Sequence, residues 1–297
     1  MDERTRIFDE QRPRLYALAY RMLSIRADAE DVLQDAYLRW RSTDAAAIES
    51  PQAWLTTVVT RLAIDRLRRT RIEREAYVGP WLPEPLSEGD VPDPESVLEL
   101  EGDLSIAFLV LLEALSPIER AAFLLHDVLD EDYADVAAML GKSEAACRQM
   151  VHRARERVTA RRRRFVVDDE TRTRMLEKFI AAADTGDREA LVALFAPDAQ
   201  MISDGGGKAV AALRPLVGPE RIAWLWYAVA KNRRRVARRI VRVNGEPGLA
   251  LYIDGRLHSV AVLETDGERI HRHYTIANPD KLRSFAGIAA LDAATAS

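Results

Sequence analysis

One cysteine, Cys147, stands in 297 residues. No internal disulfide can form, and a cysteine-based metal centre is excluded. Nowhere does an apolar run approach the roughly 20 residues that cross a bilayer. The opening MDERTRIFDEQRPR also lacks the apolar core of a secretion signal. These absences predict a soluble, cytoplasmic protein with no membrane partner. Basic charge is missing over one long stretch: from Glu75 to Glu119 there are eleven acids and no lysine or arginine. The flanks reverse this. Six arginines face only Asp65 and Glu73 between Arg61 and Arg74, and eight face only Glu156 between Arg148 and Arg164. A net charge of -4 conceals that segregation. Either basic block alone reads equally well as a solvated helix face. Two of them, each ending an amphipathic helical segment, favour a polyanion such as DNA.

The length leaves room for two or three compact domains of roughly 100–150 residues. Residues 1–74 read as all-helical. Leu15, Leu18, Ala19 and Met22 recur at helical spacing, Asp28 and Asp31 suggest a capping box ahead of EDVLQDAYLRW, and Pro51 opens a third helix. In that helix Trp54, Leu55, Val58, Leu62 and Leu67 share a face and leave the arginines outward. Residues 75–103 form an acidic linker. Five prolines and two glycines between Gly79 and Pro94 forbid a helix there and favour an extended path.

Residues 104–165 form a second helical domain. Leu104–Leu115 reads as an apolar helix, and SPIER restarts the chain with Ser116 as cap, Pro117 at the first helical position and Glu119 closing the box. DYADVAAMLGKSEAACRQMVHRARERV then has the layout of a helix-turn-helix: Tyr133–Leu140, a turn at Gly141, and a longer helix capped by Ser143. On the longer helix Arg148, Gln149, His152 and Arg153 point away from Ala146, Met150 and Val151. Such a face suits a major groove.

Residues 168–297 read as α+β. TRMLEKFIAAADTGDREALVALFAPDAQM gives two helices parted at Gly186-Asp187, the second closed by Pro197, and a further helix spans Pro219–Asn232. Three Asx-Gly turns, at Asn244, Asp254 and Asp266, separate segments of strand composition. His271 and His273 alternate along one of them and can face one side, but a metal site would need a third ligand that the spacing does not supply. No nucleophile beside a base stands out, and Cys147 reads as a small buried residue. Neither an enzyme, a cofactor nor a metal is expected. Asp204, beside three glycines, suits a pocket mouth. The six arginines from Arg233 to Arg242 mark a basic strand or helix end that could meet the acidic linker, DNA or a protein partner.

AEDVLQDAYLRW, AWLTTVVTRLAIDRLRR and the segment from Leu115 to Val158 together resemble, in order, the conserved helices of a bacterial RNA polymerase sigma factor of the extracytoplasmic-function type. The resemblance covers about half the chain. It departs at Arg61, where many relatives carry asparagine. It implies that Asp31, Gln34, Asp35 and Leu38 bind the clamp of core RNA polymerase. It places Trp54, Arg61, Asp65, Arg68 and Arg69 near the melted minus-ten promoter element, although Trp54 reads also as core. Ser143, Glu144, Arg148, Gln149, His152 and Arg153 would read the minus-thirty-five element of promoter DNA.

The C-terminal region resembles the SnoaL-like cone with an antiparallel sheet, a fold that hosts enzymes and binding modules alike. One sigma subgroup carries such a domain fused in place of a separate anti-sigma protein. Its short motifs are WLPEP (Trp81, Leu82, Pro83, Glu84, Pro85), DGGGK (Asp204, Gly205, Gly206, Gly207, Lys208) and NPDKL (Asn278, Pro279, Asp280, Lys281, Leu282). The resemblance implies that WLPEP docks on the C-terminal domain near the other two and that this domain regulates the sigma factor. Two rival readings are a one-component regulator sensing a small ligand and an enzyme with a DNA-binding appendage.

Overall fold

The computed structural model describes residues 2–44, 48–90, 104–161, 165, 167–231 and 235–285. The linker prolines 92 and 94, the arginines 162–164 of the second basic block, and Arg233 and Arg234 lie outside the described residues. The chain divides into two compact units. One comprises 1–75, 91–104 and 108–163, and the other 76–90, 105–107 and 164–297.

The first unit is helical. Helices α1 (Glu3–Leu23), α2 (Arg26–Ser42) and α3 (Pro51–Glu75) bury Leu15, Leu18, Met22, Leu33, Leu55 and Leu62 against one another. Asp28 does not cap α2. The helix starts two residues earlier without a side-chain cap, and Asp28 instead accepts from Arg66 Nε at 3.1 Å. A cation on a packed neighbour outcompetes the local backbone for this carboxylate.

Helix α4 (Ile106–Leu112) is shorter than the apolar run suggests. The amides of Ala114 and Leu115 turn back to the carbonyls of Leu111 and Leu112, which tightens and ends it. Helix α5 (Pro117–Phe123) carries the capping box in full: Ser116 Oγ accepts from the Glu119 amide, and Glu119 Oε2 accepts from the Ser116 amide at 3.1 Å. A π-turn at Leu124–Val128 leads to α6 (Tyr133–Leu140) and α7 (Glu144–Arg161). Gly141 joins these two at φ +62°, a left-handed position that glycine fills without strain. Val136, Met139, Cys147, Met150 and Val151 seal the pair.

In the second unit α8 (Asp169–Thr185), α9 (Arg188–Leu194) and α10 (Pro219–Lys231) pack on a six-stranded sheet. The strands are β1 (Phe195–Asp204), β2 (Leu216–Val217), β3 (Val236–Val243), β4 (Glu246–Ile253), β5 (Arg256–Thr265) and β6 (Ile270–Ile276), in spatial order β2-β1-β6-β5-β4-β3. Strands β3 to β6 form an antiparallel meander, but β1 runs parallel to β6, so the sheet is mixed. Asn244-Gly245 and Asp254-Gly255 hold positive φ at both central positions, as tight hairpins of this twist require.

Pro197 ends no helix. Helix α9 stops at Leu194, and the proline lies within β1 where the pairing to β6 slips between Phe195 and Gln200. A proline is tolerated at such an irregularity because no ladder bond needs its missing N–H. Phe179, Leu191, Phe195, Trp226, Leu249 and Ile270 fill the core between helices and sheet.

Candidate nucleic-acid interface and linker clasp

On α2 the apolar residues Val32, Leu33 and Ala36 turn inward, and Asp31, Gln34, Asp35 and Leu38 are all exposed. Leu38 keeps 58% of its surface in water. A leucine left so open among carboxylates suits a partner that is apolar at its centre and basic around it. On α3, Asp65, Arg68 and Arg69 are exposed, whereas Trp54 is half-buried with its ring centroid 5.7 Å from that of Trp40.

Arg61 is engaged within the same unit. Its Nε donates to the Met139 carbonyl at 2.9 Å, at the C-terminal end of α6, where the helix dipole favours a cation. A buried network also ties the ends of α1 and α3 to the turn before α5. Glu113 accepts from Arg74, from Arg120 at 2.8 Å and from Ser24 at 3.2 Å, and Arg120 donates to the Met22 carbonyl at 2.6 Å. Burial pushes the Glu113 carboxyl up, but the two guanidiniums outweigh it and hold it below the usual range. Charge alone did not reveal this network in the sequence.

Along α7 the outward face carries Arg148, Gln149, His152 and Arg153, with Ser143 and Glu144 at its start, all exposed. Arg148 makes only an exposed pair with Glu144 at 2.7 Å and lies over the Tyr133 ring at 5.1 Å. Pairs of this kind contribute little and exchange readily for a phosphate or a base. Arg157 and Arg155, though exposed, are engaged within the domain, at 2.8 Å to Glu119 and in two bonds of 2.7 Å to Asp127, and Arg153 also lies 3.5 Å from Glu119.

The second unit holds the first part of the linker. Asp204, at the end of β1, has no exposed surface. Its Oδ1 accepts from the Tyr77 hydroxyl at 2.6 Å, and its Oδ2 from the Leu82 amide at 2.9 Å and from Lys281 Nζ at 2.7 Å. Lys281 also donates to the Leu82 carbonyl at 2.5 Å, and its ammonium stands 4.0 Å from the centroid of the Trp81 ring. Asn278 Nδ2 donates to the Tyr77 oxygen at 2.8 Å. Burial, and then the bond to Asp204, raise the Tyr77 pKa. Four residues beyond Leu82, the Leu86 amide donates to Asn244 Oδ1 and the Leu86 carbonyl accepts from the Asn244 amide, both at 2.9 Å. Leu82, Pro83, Glu84, Pro85 and Leu86 are buried.

Here WLPEP, DGGGK and NPDKL come together as one clasp. Tyr77, Leu86 and Asn244 belong to it as well. Asn244 showed in the sequence only as a turn residue, and Tyr77 gave no signal. Gly206, at φ +56°, permits the approach: a Cβ there would lie 2.3 Å from Asn278 Nδ2 and 2.8 Å from the Tyr77 oxygen. Gly206→Val is therefore expected to destabilise the second unit by about 1–3 kcal/mol, read as a lower urea midpoint with an unchanged slope. Lys208 pairs with Asp280 at the surface.

Asp204 serves the clasp rather than a pocket mouth, and its neighbour Ser203 faces the cavity under α10. The arginines of β3 turn out to be partly structural. Arg238 pairs with Asp184 and lies over Trp226, and Arg242 pairs with Asp169 at 2.5 Å. His271 bonds Asp266 at 2.7 Å and stacks on Phe165. His273 is buried against Phe179 and Trp226, and its Nδ1 meets the Thr275 hydroxyl at 3.0 Å. Among the described residues no group of three or more histidines, cysteines or carboxylates is placed to hold a metal, and no helix is long and apolar enough to cross a membrane.

Two family models match the chain: Sigma-70 region 2 over residues 7–72 and Sigma-70, region 4 over residues 105–158. The two helical domains are thus those of a sigma factor. The chain is 38% identical over 287 residues to the ECF RNA polymerase sigma factor SigJ of Mycobacterium tuberculosis, covering 92% of this chain and 91% of that protein. It is 27% identical over 271 residues to the probable ECF RNA polymerase sigma factor SigI of the same organism, covering 90% and 91%. The crystal structure of the Mycobacterium tuberculosis SigJ matches with a TM-score of 0.75 at 35% identity, over 93% of this chain and 97% of that one. The chain belongs to the extracytoplasmic-function sigma factors of RNA polymerase, with a SnoaL-like unit fused behind the two sigma domains.

Proposed function

We propose that this sigma factor recruits core RNA polymerase through Asp31, Gln34, Asp35 and Leu38 and directs initiation at promoters read by its two helical domains. The α3 face with Arg61, Asp65, Arg68 and Arg69 contacts the minus-ten element, Trp54 supporting it from the half-buried side. Ser143, Glu144, Arg148, Gln149, His152 and Arg153 contact the minus-thirty-five element. Aromatic stacking and phosphate pairing would hold the melted strand, and the α7 face would enter the major groove of the upstream duplex. The protein works without catalysis, in the cytoplasm, on polymerase and DNA.

Regulation is built into the chain. The observation that carries this reading is the linker clasp: residues 77–86 follow α3 directly, yet their amides, carbonyls and side chains are held by Asp204, Asn244, Asn278 and Lys281. Capturing the linker limits the span available between the two DNA-reading domains, so the fused unit takes the place of a separate anti-sigma protein. Arg61, engaged with α6, has to leave the Met139 carbonyl before it can meet DNA.

Run-off transcription with bacterial core polymerase, on a promoter selected from random DNA, tests the reading. Full-length protein is expected to direct specific initiation. Arg148→Ala with Gln149→Ala is expected to reduce it by at least about 30-fold, since two good base contacts are lost and each is worth roughly 1–3 kcal/mol. Trp81→Ala is expected to change activity without changing promoter choice. Failure of full-length protein to initiate while it still binds DNA would replace the sigma reading with that of a one-component regulator.

A further inference from the structure

The second unit also carries a cavity that the clasp does not use. Met201 and Ser203 of β1, Leu251 of β4, Ser259 of β5 and Thr275 of β6 line one side, and Leu225 and Val229 of α10 line the other. The space between them is about 930 Å³, the upper end of the range that encloses a drug-sized molecule. Its chemistry is narrow. At the rim Arg188 bonds Glu220 at 2.7 Å, and Arg221 is exposed, where water screens its charge. An anion would meet Glu220 and a cation would meet Arg188 or Arg221. The floor offers hydroxyls, those of Ser203, Ser259 and Thr275, among aliphatic side chains. At the rim Val210 and Trp224 are left 94% and 60% exposed, which is unusual for such side chains unless something covers them.

The cavity is wired to the clasp by covalent neighbours. Ser203 faces the cavity and Asp204 holds the linker. Ala277 lines the cavity and Asn278 bonds Tyr77. The amides of Ala277 and Asn278 both donate to the Asp204 carbonyl, at 2.7 and 2.9 Å. Val210 and Ala211 follow DGGGK after one residue, Ala209, and Ala211 packs so closely behind Gly205 that a Cβ there would lie 2.8 Å from it.

We propose that this cavity binds an uncharged, mostly apolar molecule of roughly 20–30 non-hydrogen atoms, and that its occupancy tightens the grip of Asp204 on the linker. The binding stands on the cavity alone. The coupling rests on the regulatory reading of the linker.

Nile red, an uncharged ring dye with a carbonyl acceptor, serves as the probe on the full chain. Saturable binding of one dye per chain at micromolar concentration is expected. Ser259→Trp, which fills the cavity, should weaken it at least tenfold, and Trp224→Ala, at the exposed rim, several-fold. Thermal melts verify that each variant is folded, and if Ser259→Trp is not, the surface variant decides. Absence of saturable binding, equal affinity in folded variants, or equally tight binding of an anilinonaphthalene sulfonate anion would overturn the site. So would a dimer in sedimentation that hides Val210 and Trp224 and persists with excess dye, since the occupant would then be a second copy. Saturating dye should also slow hydrogen exchange at the Leu82 amide several-fold. Unchanged exchange with dye bound would overturn the coupling and leave the site intact, whatever the transcription assay gives.

Discussion

Asp204→Ala is expected to free residues 77–86 from the C-terminal unit and to lower the unfolding free energy of that unit by about 3–5 kcal/mol. The magnitude follows from what remains behind. The carboxylate is fully buried and receives three donors, from Tyr77, the Leu82 amide and Lys281. Without it the Lys281 ammonium, 5% exposed, loses its carboxylate partner and is left against the Leu82 carbonyl and the Trp81 and Tyr77 rings, and the Leu82 N–H loses its acceptor. Lys281→Met alone should be comparably harmful, because it strands a buried carboxylate. The double variant Asp204→Asn with Lys281→Met should recover much of the loss, since neither charge then stays unpaired. Lys208→Ala is the control: its pair with Asp280 is exposed, and the cost should be below about 1 kcal/mol. Urea titration gives the energies, and hydrogen exchange at Leu82 and Leu86 gives the release. A loss under about 1 kcal/mol for Asp204→Ala would mean that apolar burial of Leu82, Pro83 and Leu86 holds the linker without the carboxylate.

The clasp was half legible in the sequence, and the reason is separation. WLPEP, DGGGK and NPDKL are compact enough to be seen as strings, so their meeting could be anticipated from a resemblance. Tyr77, Leu86 and Asn244 could not, because their partners lie 127 to 201 residues away and each is locally unremarkable. The same division runs through the fold. Ser116 with Glu119, and Gly141, act on their own turn of chain and were readable there. Asp28 satisfied the same local rule and failed it, since Arg66 claims its carboxylate from 38 residues on. Strand composition located β4 to β6 but carries no record of direction, which is why the parallel pairing of β1 with β6 was missed. Basic blocks were equally mute about partners: Arg148 faces water whereas Arg238 is buried beside Asp184, and nothing in their spacing separates the two.

Acid should unfold the C-terminal unit through one side chain before its carboxylates matter. Burial against Phe179 and Trp226 pushes His273 from an ordinary value of 6.5 down to about 4, and the groups facing it, those two rings and the Thr275 hydroxyl, do not titrate in this range. The folded pKa lies below the unfolded one, so the unfolded chain takes up the proton first as the pH falls. Stability from the neutral imidazole is complete above about pH 6.5, declines from there to about pH 4, and is constant below. The loss amounts to roughly 3 kcal/mol over that window. Asp266 acts later. Burial raises its carboxyl, but the bond from His271 and the amides of Arg269 and Glu268 bring it from 3.8 to about 2, so its contribution fades only between those values. The two windows do not overlap. Urea titrations at pH 7 and pH 4.5, followed by exchange at the β6 amides, should therefore show the decline in the wild-type chain and not in His273→Phe, which keeps the aromatic packing and removes the titrating nitrogens. An equal decline in both would place the acid sensitivity elsewhere and would mean that water reaches the ring of His273 in the folded protein.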